Sequence, residues 1–304
     1  MSCADLDASR CGRQGCEGGL DGIGARFRVS STIRGGCRIF LELDCGDCDD
    51  SIWGGLMKQV ESTEDVSVSI TERGVATVTM TRPDQRNAMS PRSVEAMATI
   101  LDELSCDGRV RCLILTGSGR GFCSGSDLKA LAEMSEQARS AFERDCGRLS
   151  RAIARLPIPV IAAVHGFAIG GGLTLATSCD LVITTPSAKW ALPEVPIGLF
   201  PAWGLRTVER RCGVVVARRL AWGVETIAGK DVVELGLADY LAEAPLESAI
   251  ELGSKLADLP RLQASYVKEY FSLNPDGELA DELANQLFMR AADLPEAQVT
   301  FRGR

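Results

Sequence analysis

His165-Gly-Phe-Ala-Ile-Gly-Gly-Gly-Leu-Thr-Leu-Ala176 is the stretch on which the reading of the fold turns. It follows an apolar run, Pro159-Val-Ile-Ala-Ala-Val164, bounded like a buried strand, and it runs into a short helical pattern. Side chains vanish where strand gives way to helix. Backbone N–H groups are therefore open to a ligand, and the helix N-terminus adds partial positive charge. A second bend of this kind lies upstream, where Gly121-Phe-Cys-Ser-Gly-Ser-Asp-Leu-Lys129 follows the apolar run Arg111-Cys-Leu-Ile-Leu-Thr116. Two amides aimed at one point make an oxyanion hole, each donor typically worth about 3 kcal/mol of transition-state stabilisation. Taken singly, either bend is equally compatible with glycines that only permit tight turns and close helix packing.

The flanking sequence supplies the rest of a mixed architecture. Val66-Ser-Val-Ser-Ile70 and Val75-Ala-Thr-Val-Thr-Met80 alternate like half-buried strands joined by a turn at Glu72-Arg-Gly74. Ser90 and Pro91 are a helix N-cap and first-turn proline, and the pattern predicts a helix to about Leu104. Further elements are expected as a helix over 136–155 and a strand over 181–184. After Pro201 the chain reads almost entirely helical, with amphipathic stretches over 232–236, 246–256 and 279–290. Strands alternating with helices imply an α/β fold with loops gathered at strand ends.

Composition narrows the chemistry. The chain has 304 residues with 45% apolar and 24% charged, enough to close a real core. A formal charge of −8 gives no general nucleic-acid partner its basic face. No run of eighteen apolar residues exists to span a membrane, and the first thirty residues lack a signal core, so the expectation is a soluble, cytoplasmic protein. One histidine, His165, excludes HExxH zinc proteases and multi-histidine metal sites. No G-x-S-x-G elbow or P-loop occurs, and Gly117-Ser-Gly-Arg-Gly-Phe122 misses the dinucleotide fingerprint at its sixth position. Six of the twelve cysteines fall within the first 48 residues, and Cys45-Gly-Asp-Cys48 has zinc or redox spacing without a partner pair. Residues 1–62 read as a Cys/Gly-rich, disordered extension. A metal or redox role, or a working start at Met57, are the other readings. The six later cysteines read mainly as small core hydrophobes.

Taken in order, several pieces resemble the crotonase superfamily, the enoyl-CoA hydratase/isomerase family. They are Arg82-Pro-Asp-Gln-Arg-Asn-Ala88, Phe122-Cys-Ser-Gly-Ser-Asp-Leu-Lys129, Ala162-Ala-Val-His-Gly166, Gly170-Gly-Gly172, Cys179-Asp180, Leu192-Pro-Glu194 and Gly236-Leu-Ala-Asp239. The resemblance spans 66–271 and leaves the first sixty residues without a counterpart. It implies a crotonase-like ββα-superhelix core over 63–258 and a C-terminal helical trimerisation layer over 259–304. It also implies a homotrimer or hexamer, no metal, and no cofactor beyond the CoA thioester of an acyl-CoA substrate. Ser126 and Gly171 stand where the family has its two oxyanion-hole amides. The 126–129 segment, Ser126, Asp127, Leu128 and Lys129, would line the substrate channel, and Arg86 and Ala88 would meet CoA through backbone groups.

Family hydratases carry two glutamates. The later one is matched by Glu194, but the earlier position, two residues past the glycine triplet, holds Thr174. A hydroxyl cannot serve as a carboxylate base, although it can orient a water. One carboxylate suits an enoyl-CoA isomerase, so double-bond shift by Glu194 is favoured over hydration. A crotonase-type lyase or decarboxylase and a non-catalytic acyl-CoA-binding protein stay open. Asp127 reads as a helix cap and His165 as structural. Trp190 and Trp203 read as packing residues that, as pocket walls, would favour a bulky acyl group. Arg261 and Lys268 read as solvated helix-face cations able to meet CoA phosphates.

Overall fold

The computed structural model describes residues 17–19, 26–28, 61–273 and 277–301. The chain divides into two compact units, 1–59 and 60–304. In the first, β1 (Glu17–Gly19) pairs antiparallel with β2 (Arg26–Arg28). Cys45 and Cys48 lie outside the described residues, as does most of the segment read as disordered.

The second unit is built on a six-stranded sheet. β3 (Val66–Ile70) and β4 (Val75–Met80) form an antiparallel pair with Val66 opposite Met80. Gly74 makes the turn at φ +77, and a Cβ there would strike the Arg109 carbonyl at 2.2 Å. From β4 onward neighbours run parallel through β5 (Cys112–Gly117), β6 (Val160–Val164), β8 (Leu181–Thr184) and β11 (Tyr240–Leu241). A smaller sheet pairs β7 (Phe167–Ile169) with β9 (Lys189–Ala191) in parallel, and β9 with β10 (Ile227–Ala228) antiparallel. These four strands of two or three residues, β7, β9, β10 and β11, are absent from the sequence expectation because so short a run shows no period.

The central strands β5 and β6 are buried at every position because both faces are covered. Alternate residues of β5 divide between them: Leu113 and Leu115 join the larger core, and Cys112 and Ile114 the smaller. The larger core packs against α1 (Pro91–Cys106) and α3 (Glu136–Arg155) through Val94, Met97, Ile100, Leu149 and Ile153. α7 (Pro245–Ala257) covers the other face with Ala249 and Ala257. Ser90 caps α1 by accepting from the Ser93 amide, with Pro91 in the first turn. Of the later cysteines, Cys112, Cys123, Cys146 and Cys179 are buried and free, whereas Cys106 is exposed. Burial pushes the Cys123 and Cys179 thiols up to about 12, which leaves them inert as nucleophiles.

The remaining helices are α2 (Leu128–Glu133), α4 (Gly171–Thr177), α5 (Leu205–Ala221), α6 (Gly229–Glu234), α8 (Arg261–Leu273), α9 (Glu278–Ala292) and α10 (Pro295–Phe301). Among the described residues no helix is long and apolar enough to cross a membrane.

Candidate active site

β5 and β6 are parallel neighbours, so the two glycine-bearing bends that leave them emerge at the same edge of the sheet. Backbone bonds stitch them together. The Ile169 amide donates to the Cys123 carbonyl at 3.0 Å, and the Phe122 amide donates to the Phe167 carbonyl at 3.0 Å. Gly172 lets α4 close onto this seam, since a Cβ there would sit 2.2 Å from the Cys123 carbonyl oxygen. A Cβ on Gly125 would lie 3.1 Å from the Gly171 nitrogen, which measures how closely the bend carrying Ser126 approaches the first residue of α4. The Ser126 segment is fixed from its other side by Met89, whose amide donates to the Gly125 carbonyl and whose carbonyl accepts from the Asp127 amide, each at 2.8 Å. Successive amides of an extended segment point opposite ways, so the Ser126 N–H is turned away from Met89. Neither it nor the Gly171 N–H has an acceptor among the described residues.

Glu194 stands at the start of the short 3-10 turn Val195–Ile197, separated from the end of β9 by Leu192 and Pro193. Gly170, the N-cap of α4 at φ +56, makes room for it, because a Cβ there would lie 2.7 Å from Glu194 Oε1. The side chain is half-buried, and its Oε2 is enclosed without a hydrogen-bond partner. Burial raises its pKa above the usual carboxylate value, and the charge of Glu143 adds to the rise.

Glu143, on α3, is a site residue the sequence reading missed. It lines the same cleft of about 870 Å³ as Glu194, Ser126 and Gly171. Ser126 Oγ donates to its Oε1 at 3.3 Å and Trp203 Nε1 to its Oε2 at 3.0 Å. Burial raises this carboxyl too, opposed by the hydrogen bonds from Ser126 and Trp203. The one signal in the sequence was helical phase. Glu143 precedes the buried Cys146 and Gly147 by three and four residues, on the flank of the core stripe.

The cleft also gathers Arg86, Ala88, Asp127, Leu128, Lys129 and Thr174, so every residue expected at the site lines it. Their parts differ from expectation in places. Thr174 is 1% exposed and donates its hydroxyl to the Gly171 carbonyl at 3.0 Å, so it offers no donor to a water in the cleft. Asp127 caps α2 through the Ala130 amide and pairs with Arg82 at 3.1 Å. Burial pushes Asp127 up, but the Ala130 amide and Arg82 outweigh it and hold the carboxyl below its usual range. Arg86 lies over the Phe167 ring, 5.0 Å from its centroid. Trp203 is a cleft wall rather than packing alone, whereas Trp190 is fully buried and donates to Thr184 Oγ1.

His165 Nε2 lies 3.1 Å from the Gly119 carbonyl, outside the cleft, in keeping with a structural part. Lys268 is not a solvated cation able to meet a phosphate: it is 7% exposed and bonded to Asp180 and the Ile153 carbonyl. Arg261 likewise bonds the Gly108 carbonyl, away from the cleft.

Residues 70–296 match the family described as enoyl-CoA hydratase/isomerase. A probable enoyl-CoA hydratase of Bacillus subtilis (strain 168) is 35% identical over 204 residues, covering 65% of this chain and 79% of the relative. A short-chain-enoyl-CoA hydratase of Clostridium acetobutylicum is 32% identical over 189 residues, 61% of this chain and 72% of the relative. Among solved structures, an enoyl-CoA hydratase of Mycobacterium smegmatis superposes with a TM-score of 0.73 at 32% identity, over 77% of this chain and 93% of its own.

Proposed function

This chain belongs to the enoyl-CoA hydratase/isomerase family, and from that premise we propose that it moves a proton at the carbon beside an enoyl-CoA thioester. Glu194 is the proton carrier, and the amides of Ser126 and Gly171 hold the thioester oxygen. The observation that carries this reading is the enclosed, partnerless Glu194 Oε2 on one side of two amides that have no acceptor of their own. Removing a proton from C2 of a 3-enoyl thioester puts negative charge on the carbonyl oxygen. Two preorganised N–H donors stabilise that enolate, each by about 3 kcal/mol. The same carboxyl then returns the proton at C4, giving the 2-enoyl isomer, so one carboxylate suffices for a double-bond shift. Arg86, Ala88 and the 126–129 segment are assigned to the CoA and its pantetheine arm.

Hydration of a 2-enoyl thioester is the second reading. It is favoured by the names of the relatives and by the presence of Glu143 in the cleft. The assembly we propose is a homotrimer or hexamer, with α8 and α9 at the contacts between subunits.

The test is Glu194→Gln, assayed separately on 3-enoyl-CoA and 2-enoyl-CoA. The variant is expected to lose the double-bond shift by about 10²–10⁴-fold while still binding acyl-CoA. Full turnover in the variant, or none in the wild type with acyl-CoA still bound, overturns the assignment. The latter result identifies a non-catalytic binder.

A further inference from the structure

The family's earlier glutamate is replaced by a threonine whose hydroxyl is already donated to the Gly171 carbonyl. Helix α3 brings a carboxylate into the same cleft from a different part of the chain. We propose that Glu143 is the second acid–base group of this site, and that with it the cleft adds water across a 2-enoyl thioester as well as shifting a double bond. The inference rests on the amide pair and Glu194 acting as described above.

Position is the first argument. Glu143 is tied to both donors of the thioester oxygen through one residue each. Ser126, whose amide is one donor, bonds Glu143 Oε1 with its hydroxyl at 3.3 Å. Trp203 bonds Oε2 at 3.0 Å, and its ring lies against Gly171, the other donor, where an added Cβ would be 3.0 Å from Trp203 Cζ2. A carboxylate so anchored has a fixed orientation, which a solvated helix-face glutamate lacks.

The second argument is the difference between the two carboxyls. Burial raises both carboxyls, but Glu143 accepts two hydrogen bonds that oppose the rise, whereas Glu194 Oε2 is enclosed and accepts none. That difference assigns the base of hydration to Glu143 and the acid to Glu194, whereas the double-bond shift draws on the ionised form of Glu194. Glu143 takes a proton from water as the water oxygen bonds to C3. The C2=C3 electron pair moves toward C2 and the carbonyl oxygen, which the Ser126 and Gly171 amides hold. Glu194 then delivers its carboxyl proton to C2, completing a 3-hydroxyacyl thioester. Glu143 is left protonated and Glu194 ionised, and one proton passed between them through the next water restores the starting state. Water is the only co-reactant.

The full-length protein is tested with Glu143→Gln, using crotonyl-CoA for hydration and a 3-enoyl-CoA for the double-bond shift. Hydration is expected to fall about 10²–10⁴-fold, the magnitude of a positioned acid–base group, and to fall at least tenfold more than the shift does. Ser126→Ala, which keeps the amide but removes the hydroxyl donor, is a second probe should the first variant fail to fold. It is expected to lower hydration about tenfold and the shift less. The proposal is overturned if wild type shifts double bonds but forms no 3-hydroxyacyl-CoA, or if the variants change both reactions equally or neither. Failure of the underlying reading shows differently, as a Glu194→Gln variant that retains both reactions.

Discussion

A carboxyl enclosed beside a like charge holds its proton more tightly than one in water, and Glu194 is in that position, with burial as the larger cause and Glu143 the lesser. The proposed double-bond shift needs Glu194 ionised to take the C2 proton. Its rate should therefore rise with pH through a pKa above that of an ordinary glutamate and then level off. Glu143→Gln removes the like charge, so the rising limb should move to lower pH, and a limb that stays in place or moves up would refute the electrostatic account. Gly170 offers a second probe. Alanine at φ +56 would be strained, and its Cβ would sit 2.7 Å from Glu194 Oε1, so Gly170→Ala should displace the carboxylate. Turnover is expected to fall by about tenfold or more, since small misplacements of a catalytic group are costly. At this scale the sequence was legible where a residue sits in an ordered motif, as Glu194 does behind its proline. It was not legible for Glu143, which looks like one more charge on a helix rich in Arg, Glu and Asp and reaches the cleft only through the tertiary placement of α3. Lys268 misleads in the opposite sense, because its partner Asp180 lies 88 residues away.

In the proposed mechanism two strand-to-helix bends carry the chemistry, and glycine makes their joint possible. α4 presses on the Cys123 carbonyl so closely that any side chain at Gly172 collides with main chain, which cannot swing aside. Gly172→Ala should lower stability by about 2 kcal/mol or more, seen as a fall in the midpoint of thermal or denaturant unfolding. An unchanged midpoint would mean that the seam is looser than described. Long elements were readable from their own residues: α3 spans 136–155 as its pattern predicts, and α1 begins at Pro91 behind its serine cap. β7, β9, β10 and β11 were not, because two or three residues cannot display alternation. Their pairing is decided by partners distant in the chain, such as Ile227 with Trp190.

Buried apolar runs joined by helices made the α/β character visible before any coordinates. What the later helices do beyond covering the sheet is set by surfaces that one subunit leaves open. α8 and α9 expose Val267, Phe271, Leu279 and Phe288, each more than half accessible, an apolar display that a monomer rarely keeps. Sedimentation equilibrium should return three or six times the chain mass of 32.5 kDa, and a species at the single-chain mass would contradict the assembly. The activity itself comes down to whether the whole protein makes carbon beside a thioester acidic. The most direct measurement is deuterium incorporation at C2 of a 3-enoyl-CoA in heavy water, followed by proton NMR. Wild type should exchange that position rapidly, and Glu194→Gln should slow the exchange by at least a hundredfold. A wild type that binds the thioester without exchange, or a variant that exchanges as fast, would contradict the account.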